Sequence, residues 1–182
     1  MSYKLDLSKI YNHIIYKNTQ SEETISQTHS YLHGVNKIHI VEEKVINFRC
    51  FNVDFNLDSG NSQFDNISCD GDILYVNNHT CKIICFLGFS EMGTICDNVT
   101  LSTSQENIKV PLVLKTFHTN NFKGIDDVGI NSNCKIALSC LGDDMQKHYI
   151  YFWETDINTE NPIIKIQLPV NRTLHILAIT LE

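Results

Sequence analysis

The residues of this chain best suited to chemistry are aromatic. In His148-Tyr-Ile-Tyr-Phe-Trp-Glu-Thr-Asp156, Tyr149, Tyr151 and Trp153 alternate with Ile150 and Phe152, so on an extended strand the two sets point to opposite faces. Saccharide recognition needs an aromatic face for the C–H surface of the sugar and a few polar groups for its hydroxyls. If Ile150 and Phe152 face the core, the ladder of Tyr149, Tyr151 and Trp153 is expected to stack a ligand. Cross-strand aromatic packing is the commoner outcome for such a ladder.

Carboxylates come next. Asp126 and Asp127 lie in the glycine-bounded stretch Lys123-Gly-Ile-Asp-Asp-Val-Gly129, and Asp143-Asp144 follow Gly142. Adjacent carboxylates on a loop suit calcium, which takes hard oxygen ligands, but no Asp-x-Asp-x-Asp spacing is present. Calcium is therefore an option at Asp126 and Asp127, whereas no cofactor is the expectation. Sequence neighbours on one loop also cannot hold the defined separation across a cleft that glycoside hydrolysis requires.

Eight histidines and seven cysteines offer further donors. His29 and His33 have i, i+4 spacing without the Glu of a zinc-protease helix. His175, between Leu174 and Ile176, reads as a hydrogen-bonded structural imidazole. The cysteines are odd in number, lack any Cys-x-x-Cys pair and sit among apolar neighbours, which predicts reduced, buried thiols. Gly-x-Ser-x-Gly and glycine-rich phosphate loops are absent. No catalytic residue and no metal ligand is assigned, and the chain is not expected to be an enzyme.

The elements that must position these residues are strands. Tyr3, Leu5 and Leu7 alternate, while Ile10, Tyr11, Ile14 and Ile15 have helical spacing, so residues 1–34 read as irregular or as a short helix plus a loop. From Lys37 to Phe55 the pattern is extended, and its apolar parity changes near Cys50, which predicts a bulge or break there. Cys81 to Phe89 is too continuously apolar to have one wet face and is expected to be central, with Gly88 at a close approach or bulge. Strands are also predicted at Val99–Thr103, Ile108–Phe117, Lys135–Leu141 and His148–Ile157, with Pro111 marking an edge or bulge. Ile163 to Glu182 reads as a hairpin about Pro169 that ends in a buried strand.

Composition sets the class. A chain of 182 residues with 42% hydrophobic and 19% charged residues suits one domain over 1–182. Its 14 basic and 21 acidic residues give a formal charge of −7, which repels phosphate backbones and anionic headgroups, so neither nucleic acid nor membrane is an expected partner. No secretory signal or membrane-spanning run is visible, which predicts a cytoplasmic location. The fold class is all-β, a two-sheet antiparallel jelly-roll-like sandwich.

Five short elements occur in a familiar order: Leu5-x-Leu7; Ile46-Asn-Phe48; Phe64-Asp-Asn-Ile67 with Gly71; Cys85-Phe-Leu-Gly88 with Gly93; and Ile166-x-Leu-Pro169 followed by Leu174 to Leu181. Together they resemble the galactose-binding-like β-sandwich modules appended to bacterial glycoside hydrolases. The resemblance implies a non-catalytic module that binds carbohydrate or packs on another domain. The chain departs from it where relatives carry Asp-Gly and Asp-Trp, having Ser104-Gln-Glu-Asn107 and Phe117-His118 instead. The expected function is recognition of a carbohydrate or glycosylated partner through an aromatic and polar face. A structural or assembly role through sheet edges or an apolar face, with homo-oligomerisation open, is the alternative.

Overall fold

A computed structural model describes residues 2–13, 32–35, 45–58, 65–117, 134–142 and 147–182. Among them are strands β1 (Tyr3–Lys4), β2 (Leu32–Val35), β3 (Val45–Cys50), β4 (Val53–Asp58), β5 (Ile67–Asp70), β6 (Ile73–His79) and β7 (Ile83–Ser90). They continue with β8 (Ile95–Ser102), β9 (Asn107–Leu114), β10 (Lys135–Gly142), β11 (Lys147–Asp156), β12 (Ile163–Gln167) and β13 (Val170–Leu181). The fold is all-β, with no helix among the described residues.

A seven-stranded sheet runs β1-β13-β7-β11-β10-β2, with β5 also on β13, and a four-stranded sheet runs β6-β12-β8-β9. The β3–β4 hairpin is a third, small layer. β7 and the second half of β13 are buried along their length because both faces of the large sheet are covered there. On one face the β9 strand of the four-stranded sheet meets Trp153 and Gly88. On the other, Phe55 packs edge-on against Phe152 at 6.1 Å, and Thr180 Oγ1 donates to Asp54 O at 2.8 Å. A strand dry on both sides has no use for alternation, so the sequence of β7 is continuously apolar.

Several expectations hold in detail. A Cβ on Gly88 would stand 2.3 Å from the His175 carbonyl oxygen, and β13 shifts register between Ile176 and Ala178 beside it. Pro111 lies on β9, an edge strand, where a missing N–H costs no ladder bond.

The break expected near Cys50 is a tight hairpin turn: Phe51 and Asn52 have φ of 48° and 66°, and Cys50 pairs with Val53. A two-residue turn with both residues left-handed matches the twist of the flanking strands and carries the apolar face from even to odd positions. Phe51 tolerates that conformation because its ring packs on Phe152 at 5.0 Å. One expectation changes: the C-terminal segment ends in a buried strand, as expected, but is not a hairpin. β12 pairs with β6 and β8 while β13 pairs with β1, β5 and β7, so Leu168-Pro169 carries the chain from one sheet to the other. At that corner Leu168 N–H donates to Asp72 O and Gly71 N–H to Pro169 O, each 2.9 Å. Near the N-terminus, Leu7 to Tyr11 form a single turn, Ile10 N–H and Tyr11 N–H both donating to Leu7 O, which fits the irregular reading, while Ile14 and Ile15 lie outside the described residues.

Candidate functional site

The aromatic ladder belongs to the interior. Trp153 is 3% exposed and Tyr151 7%, while Ile150 and Phe152 on the opposite face are fully buried. Tyr149, partly buried, packs edge-on against Tyr151 at 6.4 Å. Register explains it: Trp153 pairs with Phe86 and Tyr151 with Gly88 on β7, facing the four-stranded sheet. The Trp153 indole N–H donates to Pro111 O at 2.8 Å, and the Tyr151 hydroxyl to Thr116 O at 3.1 Å. Buried aromatics with polar tips take such main-chain partners. Tyr151 and Trp153 thus join the two sheets, and the expected sugar platform is corrected to core packing.

Asp126 and Asp127, the calcium candidates, lie outside the described residues, as do Asp144 and His29. Cys50, Cys69, Cys81, Cys85, Cys96 and Cys134 are free thiols. Burial pushes the thiols of Cys50 and Cys85 up to about 12 and those of Cys81 and Cys134 to about 11, and Cys69 is raised further. A thiol held protonated at neutral pH is neither a nucleophile nor a ready metal ligand.

Ligand-type atoms converge instead around His175. Its ring is 1% exposed and stacks flat on Phe89, centroids 4.6 Å apart. His175 Nδ1 is 3.0 Å from Asn66 Oδ1. Asn66 Nδ2 in turn donates to Asp65 Oδ1 at 2.7 Å, which fixes which end of the amide faces the ring. A carbonyl oxygen only accepts, so Nδ1 carries a proton, and in the neutral ring Nε2 presents a lone pair. Nε2 lies 3.1 Å from Glu91 Oε1 and His13 tilts across the same ring, centroids 4.5 Å apart.

Three separate elements deliver these groups. Glu91 follows β7 and its N–H donates to Thr173 O at 2.9 Å, tying that turn to β13 just before His175. His13 and Asn66 form an isolated bridge, with His13 N–H on Asn66 O and Asn66 N–H on His13 O. β5 then places Ser68 opposite His175. Sequence reading found His175 and its structural hydrogen bond but gave His13 and Glu91 no role. The signal available was an imidazole in an apolar strand, which must find polar partners; which residues supply them is decided by tertiary contacts.

The surface offers a second candidate. Along β6, Leu74 and Val76 point inward while Ile73 and Tyr75 point out, Tyr75 being 81% exposed. Val170, 77% exposed, has its Cγ2 3.1 Å from the Cβ position of Gly71, two residues before Ile73.

Residues 40–182 match the AziU2-like beta-sandwich domain. The chain belongs to that family. The description names a fold, and the all-β layers above agree with it; it offers no support for a galactose-binding or hydrolase kinship. Glu91, His175, β6 and the ladder lie within the matched span, whereas His13 precedes it. No curated protein matches the chain.

Proposed function

We propose that the chain is a non-catalytic binding module that docks an extended segment of a partner protein on the β6 edge of its four-stranded sheet. The observation that carries this is the contrast between the two edges of that sheet. β9 is blunted by Pro111 and Lys109, two common protections of an open edge. β6 has neither: Ile73-Leu-Tyr-Val76 is apolar, carries no charge and pairs with β12 alone among the described residues. That edge, unpaired among the described residues, offers main-chain hydrogen bonds to an added strand, while Ile73, Tyr75 and Val170 offer apolar area beside it. Burial holds the thiols of Cys50, Cys69, Cys81, Cys85 and Cys134 protonated, which favours binding over thiol catalysis.

One observation favours a second reading, saccharide recognition of the kind the galactose-binding-like resemblance implies. Tyr75 stands opposite Lys165, and Ile73 opposite Gln167, giving one exposed aromatic ring with polar neighbours. Random peptides displayed for selection, run beside a glycan array, separate the two. Peptides that bind the native chain and fail on Tyr75→Lys support the docking edge. Saccharides lost on Tyr75→Ala, with no peptide selected, transfer the site to sugar, and ligands indifferent to both substitutions overturn both readings.

A further inference from the structure

We propose that His13, Glu91 and His175 bind a divalent transition cation of the zinc class, which clamps the N-terminal segment onto β13. The ligand-type atoms of the three residues all lie within 4.8 Å of one another. Two imidazoles and one carboxylate are a familiar protein set for zinc, which leaves a fourth position for water or another donor. Around such an ion, ligand atoms at ~2.0–2.1 Å in tetrahedral array are ~3.3 Å apart, and His175 Nε2 and Glu91 Oε1 already stand at 3.1 Å.

The surroundings are those of a metal ligand. The Asp65–Asn66–His175 chain fixes the imidazole tautomer from its far nitrogen, the outer-shell arrangement that orients ligating histidines. Phe89 fixes the plane of the ring. That leaves Nε2 aimed at a carboxylate oxygen, at hydrogen-bond distance but without hydrogen-bond geometry. In the neutral ring these are two electron-pair donors side by side, and a shared cation bridges them. His13 has its own buried Nδ1 without a hydrogen-bond partner. A proton on His175 would serve Glu91 alone; a divalent cation serves all three.

Nitrogen and carboxylate donors suit zinc, cobalt or nickel better than calcium or magnesium, which take oxygen. The clamp joins residues distant in sequence, so the ion should stabilise the fold by mass action.

The test uses the full, untagged chain, stripped with chelator and titrated with Zn²⁺ and with Co²⁺. One equivalent is expected to bind, raising the unfolding midpoint, and Co²⁺ should give the visible bands of a tetrahedral nitrogen and oxygen site without a thiolate charge-transfer band. Glu91→Gln and His13→Asn, both at partly or well exposed positions, should each weaken binding at least tenfold while the far-ultraviolet spectrum stays native. Absence of a stoichiometric site in the native chain overturns the proposal. So does a thiolate band, which would place the ion on cysteine, and so does undiminished affinity in both variants.

Discussion

The Trp153 ladder and the His175 cluster lie on opposite faces of the same sheet and have opposite chemistry. Tyr151 pairs with Gly88 and faces the four-stranded sheet, whereas Phe89 and His175, one position on, face the other way. On the ladder side the polar tips end on main-chain carbonyls, Pro111 O and Thr116 O, and the remaining ring surface is dry. On the cluster side a chain of side-chain hydrogen bonds ends at imidazole nitrogens beside a half-exposed carboxylate. Polar groups that close on the backbone serve cohesion. Groups that leave lone pairs pointing at one spot have capacity to take a ligand.

That contrast predicts unequal costs of truncation. Trp153→Ala should destabilise by about 3–5 kcal/mol, as expected for loss of a large buried aromatic, measured by urea unfolding. An unchanged midpoint would mean that the indole does not bridge the sheets. Gly88→Ala comes next, at about 1–3 kcal/mol for overpacking, because the new methyl meets the His175 carbonyl at 2.3 Å and Leu114 at 2.9 Å. This substitution touches both faces at once: it presses β13 from beneath the cluster. It should therefore also weaken any metal binding, and a variant that lost stability while keeping affinity would show the two faces to be independent. Tyr151→Phe keeps the ring and deletes the hydroxyl donor to Thr116 O, for about 0.5–1.5 kcal/mol.

The ladder and the cluster also differ in how far the sequence revealed them. Strong local patterns survived: the apolar run of β7, the edge position of Pro111 and the close approach at Gly88 all follow from one strand's own residues. The ladder's alternation placed Tyr149, Tyr151 and Trp153 on one face, but alternation says nothing about whether a further layer covers that face, and here one does. The same gap explains Pro169, where a turn between two apolar runs looks alike whether the second run pairs with the first or departs to another sheet. Phe51 was hidden for a different reason. A left-handed Phe contradicts local preference, and the cost is offset by tertiary packing on Phe152. His13, Glu91 and His175 share no spacing at all, since their meeting depends on a bridge at Asn66 and a turn tied to Thr173.

The smallest expected effect sharpens the comparison most, because it belongs to the cluster alone. Desolvation, reinforced by the neighbouring His175, lowers the His13 pKa from 6.5 to about 4, with Glu91 and Asn66 pulling the other way. A histidine whose folded pKa is depressed takes up its proton more readily in the unfolded chain, so unfolding binds protons between these two values. Its stabilising contribution is whole above pH 6.5 and is lost as pH falls towards 4. The ring is only partly buried, so solvent screens the effect. In chelator, the unfolding midpoint of the native chain should therefore fall more steeply across this window than that of His13→Asn, while Tyr151→Phe should keep the native slope. Parallel slopes for the native chain and His13→Asn would mean that the imidazole is not held neutral against His175, and the cluster would then resemble the ladder, a set of groups already satisfied.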